Sequence, residues 1–438
     1  MSDAAQTAPA GSSPAASVPR EESSAPRALP TLSEVSPVLA WAGWVLASLF
    51  FFYGFAARVS PSVMVDELMR EFALGAAIVG NLSAIYFYVY AVLQIPIGLA
   101  LDRFGPKRLL TGGAVLCASG CALFALADGT SLAYAGRFLI GAGAASSWIG
   151  TLAVIMQNFP KQRFALLAGG TQAFGMLGAT MGQVPLSLVV DEHGWRASLW
   201  VLAIFGAALA VGLFLVLRDV RGATGARVRI SETMKLALRS RQNWLAGLFS
   251  MAMIAPMLAF GGLWGVPYLM QVHGMERTEA AGIVSVIFLA WGVGSPLAGA
   301  ISDRLGTRKR VMVGGSLIAT LLLCAFPFMD AAPGWLLIAI IVATGLFASV
   351  YVAGISLVRE SNPDAINGTV LGLVNTCVIA TGAILQPTIG WILDLHWEGE
   401  MIDGARHYPP EAFAWGLAVL PAVAALGAVA ALLSRDTR

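Results

Sequence analysis

Apolar segments long enough to cross a lipid bilayer recur along most of the chain, and this recurrence restricts the fold more than any other feature. A membrane-spanning helix needs about 20 mostly apolar residues. The chain is 57% hydrophobic and 12% charged, whereas soluble domains carry about 25% charged residues. We therefore predict an all-α membrane protein with twelve transmembrane helices, here called spans 1 to 12, at residues 39–68, 76–101, 109–127, 131–157, 164–190, 196–217, 243–271, 279–302, 311–329, 335–359, 367–394 and 412–434.

The positions of the basic residues predict the orientation of these spans. Most of the 27 Lys and Arg residues precede span 1 or follow an even-numbered span. Basic residues are retained on the cytoplasmic side of a membrane, so we predict a multi-pass protein of a bacterial inner membrane with both termini in the cytoplasm. The formal net charge is only +2 and no long basic run occurs, which indicates no nucleic-acid partner.

Cysteine and histidine usage argues against a metal or catalytic centre. The four cysteines lie in apolar segments without CxxC spacing, and the four histidines lie in short polar connections. No pair of a nucleophile and a base, and no metal-binding cluster, occurs within the predicted spans. We therefore expect neither a metal, nor a cofactor, nor enzyme activity.

Two pairs of related segments indicate an internal repeat. "GLALDRFGPKR" (98–108) follows span 2, and the similar "GAISDRLGTRKR" (299–310) follows span 8. A second pair, 169–191 and 372–394, shares Gly169/Gly372, Gln172/Asn375, Gln183/Gln386 and Asp191/Asp394. Such repeats are typical of transporters built from two related halves. We predict a disordered cytoplasmic tail at 1–37, six-helix halves at 38–217 and 243–438, and a cytoplasmic linker at 218–242.

The two loops resemble the signature of the major facilitator superfamily, which reads G-x-x-x-D-R-x-G followed by basic residues. The resemblance implies two pseudo-symmetric six-helix halves around a central cavity, and loops that latch the cytoplasmic side in one conformation. In span 4, Arg137 and Gly141 match the family's R-x-x-x-G pattern; for Arg137 a gating role and a purely structural pairing both remain open. The residues to which the resemblance assigns gating or conformational roles are Gly98, Asp102, Arg103, Gly105, Arg108, Arg137, Gly299, Asp303, Arg304 and Gly306.

Within this superfamily, the chain is most similar to the organic-anion symporters, which carry sugar acids, phthalate and related carboxylates. The similarity rests on Arg58 in span 1, on Tyr90 and Gln94 in "YAVLQIPIG", and on "LWGVPYL" (263–269) in span 7. It implies an anionic solute and protons as the candidate coupling ion. However, Ala57 and Ala144 stand where these symporters often carry acids, so a facilitator or exchanger also remains open.

Arg58 is the strongest candidate for the solute site on physical grounds. An arginine in the middle of a span costs about 2.5–3.5 kcal/mol and usually faces the bundle interior or a water-filled cavity. No Asp or Glu lies well inside a predicted span, so the anion that neutralises Arg58 would arrive as the solute. A guanidinium binds carboxylate groups through two hydrogen bonds. The alternatives are that Arg58 reaches the membrane surface or bonds to helix carbonyls.

Other polar and aromatic residues are candidates for the lining of the cavity. Tyr86, Tyr90 and Gln94 are spaced four residues apart and share one helix face. Five further candidates are Gln172, Asn375, Gln386, Trp264 and Tyr268. For each of these five, packing or hydrogen bonding between helices is the alternative to contact with the solute.

We expect a monomeric secondary transporter that moves a small carboxylate-type solute across the bilayer by alternating access. The first alternative is a facilitator or symporter of zwitterions such as amino acids or dipeptides, because their carboxylate would also bind Arg58. A more distant alternative is a transporter-like solute sensor.

Overall fold

Long helices account for nearly all of the chain described by the computed structural model, which covers residues 36–218, 230–326, 329, 332–363 and 366–437. The predicted tail at 1–37 lies almost wholly outside these residues, as does much of the predicted linker at 218–242. The described part of the linker contains an additional short helix, Ile230–Arg239. Two-residue strands at Met401–Ile402 and Ala405–Arg406 form an antiparallel hairpin between spans 11 and 12.

Spans 1 to 6 form the first half. Several spans are built from two helical pieces separated by a local break. The helices are Pro37–Val59, the short turn Ser60–Val63, Val65–Phe72, Ala76–Ala125 (spans 2 and 3), Thr130–Ala144 and Ser147–Asn158 (span 4), Lys161–Arg163, Phe164–Met181 and Val184–His193 (span 5), and Trp195–Val216 (span 6).

Spans 7 to 12 form the second half. Span 7 contains a widened π-helical segment between two α-helical pieces. The helices are Arg241–Ala255, the π-helix Pro256–Trp264 and Gly265–His273 (span 7), Arg277–Leu305 (span 8), Arg308–Ala325 (span 9), Gly334–Ala348 and Tyr351–Ser361 (span 10), Asn367–Leu395 (span 11), and Pro410–Leu417 and Val419–Leu433 (span 12).

Eleven segments of the described chain are long and apolar enough to cross a membrane. The remaining predicted span, span 9, corresponds to the helix Arg308–Ala325, which has 18 residues. Its apolar stretch is shorter because Arg308, Lys309 and Arg310 occupy its first turn. The order of helices therefore agrees with the predicted twelve-helix architecture.

The predicted end of span 1 at residue 68 is wrong. The spanning helix ends in the turn Ser60–Val63, and Val65–Phe72 forms a separate amphipathic helix. Asp66 lies in the first turn of that helix, whereas Leu68 and Met69 on its other face are buried. Pro61 helps to separate the two helices, because a proline nitrogen cannot donate the hydrogen bond that would continue a helix.

The backbone conformation of the connection between spans 2 and 3 depends on one glycine. Gly105 has φ +77° and ψ 168° within the otherwise helical segment Ala76–Ala125. This left-handed region is readily occupied by glycine but is strained for residues that have a Cβ atom. The signature loop therefore needs Gly105 for its backbone conformation.

The two halves meet along two pairs of helices. Span 2 packs against span 11, and span 5 packs against span 8. The paired helices belong to the segments in which the repeat was found, so the contact is approximately two-fold symmetric. The end of span 1 also contacts span 7, through the turn Ser60–Val63 and the π-helix Pro256–Trp264.

Candidate solute-binding site

Arg58 lies in the last turn of span 1 and is buried, with 7% of its surface exposed. The guanidinium carbon lies 3.8 Å from the ring centroid of Phe55, one turn earlier. Stacking on an aromatic face is favourable for a guanidinium and leaves its N–H groups free to donate. Among the described residues, Nη2 of Arg58 is buried and has no hydrogen-bond partner. The arrangement presents an unsatisfied cationic donor within the membrane.

Two of the predicted lining residues lie beside Arg58. Tyr86 and Tyr90 stack with their ring centroids 5.9 Å apart, and both hydroxyl groups lie within electrostatic range of the Arg58 guanidinium. The Tyr86 hydroxyl donates to the carbonyl oxygen of Gly54 at 3.4 Å. Gln94 is half-buried one turn beyond Tyr90, and its amide donates to the Tyr90 carbonyl oxygen at 3.5 Å. The tyrosines and the arginine thus form one cluster on spans 1 and 2.

Arg137 is a close neighbour of this cluster but is differently satisfied. It is fully buried, and its guanidinium donates to the carbonyl oxygens of Ala57 at 2.9 Å and Ser83 at 3.0 Å. These bonds join span 4 to the end of span 1 and to span 2. These hydrogen bonds therefore support the purely structural pairing that the sequence analysis considered for Arg137.

An aromatic strip leads to Arg58 along one face of span 1. Phe51 and Phe55 have ring centroids 4.7 Å apart, and Trp148 of span 4 lies 5.1 Å from Phe51. The sequence analysis did not select these residues. The sequence does contain a signal for them: Phe51, Phe55 and Arg58 follow the four- and three-residue spacing that places side chains on one helix face.

Gln386 bonds to the π-helical segment of span 7. Its amide donates to the carbonyl oxygen of Leu258 at 2.8 Å, and Gln183, its partner in the repeat, donates to Gly261 at 2.6 Å. A π-helix departs from the regular i to i−4 bonding of an α-helix, and the two glutamines bond to carbonyl oxygens of this segment. Trp264 is fully buried, and its indole N–H donates to the Gln386 carbonyl oxygen at 2.9 Å.

The remaining candidates occupy different surroundings. Tyr268 lies in an aromatic cluster with Phe260 and Phe413, and its hydroxyl donates to the Phe326 carbonyl oxygen at 3.4 Å. Gln172 is exposed on span 5, and Asn375, its partner in the repeat, is half-buried on span 11. The structure thus places Arg58, Tyr86, Tyr90 and Gln94 together and the other candidates elsewhere around the interface.

The side of the protein opposite the signature loops, here called the opposite face, is closed by contacts between the halves. Asp394 at the end of span 11 accepts hydrogen bonds from the backbone N–H groups of Ala76 and Ala77 at 3.0 and 2.9 Å. These N–H groups begin span 2, where a carboxylate also meets the favourable end of the helix dipole. Tyr408 donates to the same carboxylate at 2.6 Å, and Arg406 pairs with it at 3.0 Å.

A second set of contacts also closes the opposite face, near the end of span 5 and the beginning of span 8. Arg277, which begins span 8, pairs with Glu67 and lies 3.4 Å from Asp191 at the end of span 5. Gln271 donates to Asp66 at 3.1 Å. Asp191 and Asp394 are partners in the repeat, and each bonds to the beginning of a helix in the other half.

The side that carries the two signature loops, here called the basic face, is less tightly packed between the halves. A Cβ atom added at Gly98, Gly169 or Gly372 would meet no atom within 4 Å, whereas one added at Gly80 near the opposite face would lie 2.6 Å from the Gln386 carbonyl oxygen. The halves are therefore in close contact at the opposite face, whereas these three glycines toward the basic face have free space beside them.

Apart from Arg137, which lies beside the Arg58 cluster, the predicted gating residues lie at the basic face. Arg308 lies 2.9 Å from Asp303 and 2.8 Å from Glu360 within the second half. Gly306 ends span 8 with φ +62°. Arg103, Arg108 and Arg304 are exposed, and Gly299 has only Val352 near its Cβ position. The side chain of Asp102 lies outside the described residues, so its predicted role stays a prediction.

The geometry and the sequence lead to the same family. The sequence model of the Major Facilitator Superfamily matches residues 46–387 and, in a second match, residues 259–438. The chain belongs to the Major Facilitator Superfamily. Its helix order, internal repeat and paired signature loops are those expected of this superfamily.

Known proteins similar to this superfamily member include two carriers named for organic acids. The cis,cis-muconate transport protein of Acinetobacter baylyi is 24% identical over 371 residues, which cover 80% of this chain and 87% of that protein. A probable galactarate/D-glucarate transporter, GudP of Bacillus subtilis, is 22% identical over 80% of this chain and 86% of its own length.

A solved structure also shares the fold. A bacterial homologue of the human lysosomal transporter Spinster, in an inward-facing and occupied conformation, has a TM-score of 0.74 and 17% identity. The match covers 91% of this chain and 96% of that one.

Across the described residues, no group of three His, Cys, Asp or Glu side chains is placed to hold a metal ion.

Proposed function

We propose that this protein is a secondary transporter that carries a small organic anion by alternating access, and that Arg58 binds the anionic group. The observation that carries the proposal is the buried Nη2 of Arg58, which has no partner among the described residues. An unsatisfied buried donor costs about 1–3 kcal/mol, and more when it is charged. A solute carboxylate would remove this cost and add charge-assisted hydrogen bonds.

The distribution of charge favours an anion over a zwitterion. The buried charged side chains of the described residues are Arg58, Arg137 and Arg308, whereas Asp66 and Glu67 at the opposite face are half-buried. An ammonium group that entered this site would therefore meet no buried carboxylate, and the desolvation of that group would be unfavourable. The names of the two relatives, which refer to muconate and to galactarate and glucarate, support an organic acid as the solute.

The lining that we propose around Arg58 combines polar and aromatic groups. Tyr90 and Gln94 are placed to contact the polar parts of a solute, and Phe51, Phe55 and Trp148 would contact its carbon skeleton. Gln172 and Asn375, in related places of the two halves, are proposed to face the solute path at the basic face. The signature loops would close that path when the opposite face opens.

We also propose that the basic face is cytoplasmic and that the membrane is a bacterial inner membrane. The positive-inside rule supports this orientation. In that orientation, the conformation described above is the inward-facing one, and the described chain ends at Ser36 and Thr437 lie on the cytoplasmic side. The halves would then span 38–217 and 243–438, with 218–242 between them.

Uptake by proteoliposomes tests the proposal. Purified protein would be offered labelled monocarboxylates, dicarboxylates, sugar acids, amino acids and dipeptides. We expect uptake of a carboxylate, and we expect Arg58→Gln to weaken its apparent affinity about tenfold to a hundredfold, from the loss of about 1.5–3 kcal/mol of charged hydrogen bonding. Arg58→Lys should retain part of the affinity, because lysine keeps the charge without the planar fork.

A control variant and a measurement with a proton gradient complete the experiment. Arg163→Gln, which changes an exposed arginine at the basic face, is the matched control and should transport like the wild type. Unchanged transport by Arg58→Gln would show that the assignment of Arg58 is wrong. Uptake that rises with an inwardly directed proton gradient would support symport, and uptake independent of that gradient would identify a facilitator.

A further inference from the structure

A basic cleft lies on the membrane-facing side of the first half, between the ends of spans 3 and 6 at the basic face. Its volume is about 560 Å³, and five described residues line it: Lys107, Arg108, Thr111, Phe214 and Arg218. Three of these five side chains are basic and none is acidic. The cleft is separate from the solute path, because span 6 packs on spans 1, 3 and 5 of its own half.

The cleft contains a polar atom that lacks a partner. Oγ1 of Thr111 is buried and has no hydrogen-bond partner among the described residues. Lys107 lies with its ammonium group 4.5 Å from the ring centroid of Phe214, which fixes the cation beside the cleft. A hydroxyl donor surrounded by three cations is a suitable environment for a phosphate oxygen, which accepts several charge-assisted hydrogen bonds.

An apolar groove continues from this cleft along span 3. It has a volume of about 340 Å³ and lies between spans 2, 3 and 4. Its lining includes Leu93 and Ile97 of span 2, Phe104, Leu109 and Leu116 of the following loop and span 3, and Ala142 and Ser146 of span 4, with Arg108 shared between groove and cleft. Phe104 is 45% exposed, Leu116 is 42% exposed and Phe214 is 58% exposed. Large apolar side chains exposed on the outside of a span meet lipid chains.

We propose that the cleft and the groove together bind one anionic phospholipid from the leaflet at the basic face. The phosphate group would lie among Lys107, Arg108, Arg218 and the Thr111 hydroxyl, and one acyl chain would lie in the groove beside Leu116. Basic pockets between transmembrane helices are suited to anionic headgroups, and each nearby Lys or Arg strengthens binding about fivefold. The bound lipid would join span 3 to span 6 within a single half, so the site would persist when the halves move.

Native mass spectrometry of the delipidated full-length protein, titrated with phosphatidylglycerol or phosphatidylcholine, tests this site. We expect one tightly bound phosphatidylglycerol and no comparable phosphatidylcholine. Lys107→Gln and Arg218→Gln should each weaken phosphatidylglycerol binding about fivefold, and Thr111→Val should weaken it in the same direction. Lys161→Gln, which changes an exposed lysine outside the cleft at the same face, is the matched control and should bind like the wild type.

A second variant tests the groove without changing the charge. A side chain at Gly112 would meet no atom within 4 Å, so Gly112→Leu should fold normally and fill the groove. We expect it to weaken binding of long-chain phosphatidylglycerol but not of a short-chain analogue. Equal binding of phosphatidylglycerol by the wild type and all cleft variants would overturn the proposal. Binding of inorganic phosphate as tight as that of the lipid, unchanged in Gly112→Leu, would also overturn it, because the site would then recognise a free anion.

Discussion

At the scale of single residues, two neighbouring arginines differ in their partners, and this difference separates binding from structure. Arg137 donates to the carbonyl oxygens of Ala57 and Ser83 and so joins three spans. Arg58 stacks on Phe55 and leaves Nη2 without a partner among the described residues. A charged group that the protein itself does not satisfy is retained at a cost in stability, which is typical of functional sites in membranes.

We therefore predict opposite effects of the two arginines on stability. Arg137→Met should lower the free energy of unfolding by roughly 3 kcal/mol or more, because two short charge-assisted hydrogen bonds are lost. Arg58→Met should leave the apparent melting temperature unchanged or raise it, because it removes an unsatisfied buried cation. Thermal unfolding of both variants in detergent, without added solute, measures the difference. An equal fall in melting temperature for Arg58→Met would assign Arg58 a structural role and contradict the proposed solute site.

At the scale of elements, the closed face depends on close approach between helices of the two halves. Gly80 of span 2 faces the backbone of span 11 at Gln386 and Pro387. Nearby, Asp394 bonds to the first N–H groups of span 2. Small residues permit such close helix packing in membranes. Near the other ends of the same spans, a Cβ atom added at Gly98 or Gly372 would meet no atom within 4 Å.

Filling this contact should open the opposite face. In Gly80→Val the added Cβ would lie 2.6 Å from the Gln386 carbonyl oxygen, and overpacking costs about 1–3 kcal/mol. We expect the population with a closed opposite face to fall about fivefold or more, measured as a distance distribution between spin labels across that face. Gly282→Val in span 8, where an added Cβ atom would meet no atom within 4 Å, is the matched control near the same face and should leave the distribution unchanged. A distribution unchanged by Gly80→Val would contradict the assignment of this contact to the closed face.

At the scale of the whole molecule, the relative position of the halves is linked to charge at the opposite face. Asp66 has Glu67 and Arg70 on its own helix, and Gln271 and Arg277 of the second half face it. Burial raises the pKa of Asp66, the neighbouring Glu67 charge raises it further, and Arg277 opposes this effect. In the conformation described here, Asp66 therefore keeps its proton to a higher pH than a carboxyl group in water does.

This shift predicts that acid stabilises the closed opposite face. When the halves separate there, water would return the pKa of Asp66 toward its ordinary value of about 3.9. Between that value and the raised one, the closed face binds a proton that the open face does not, so lowering the pH through this window favours closure. The spin-label distances should shift toward closure as the pH is lowered from neutral toward the ordinary pKa of an aspartate, and Asp66→Asn should remove most of this shift.

A matched acid on the same side provides the control for the pH experiment. Glu71 pairs with Arg196 at 3.0 Å within the first half, and this partner lowers the pKa of Glu71. Its protonation does not involve the second half, so Glu71→Gln should leave the pH dependence of the distances unchanged. A wild-type distribution that does not change with pH would contradict the role of Asp66.

Much of the architecture could be predicted from the sequence, because it depends on local properties of the chain. The length of each apolar segment predicts a span, and the repeated loops at 98–108 and 299–310 predict two halves. Arg58 could be selected because an uncompensated charge within a span is visible without a structure. The end of span 1 was predicted wrongly, because Val65–Phe72 is amphipathic and adjoins an apolar helix, so hydropathy alone does not separate the two.

The sequence by itself thus determined the number of helices, their pairing into related halves and the arginine most suited to bind an anion. Only the tertiary structure decided that Arg137 donates to two backbone carbonyl oxygens while Nη2 of Arg58 has no partner among the described residues, that Gln183 and Gln386 bond to the widened segment of span 7, and that the opposite face is closed. Each of these depends on contacts between residues far apart in the chain. Hydrogen-bond satisfaction and close helix packing are properties of such contacts, whereas hydropathy and charge are properties of the residues themselves.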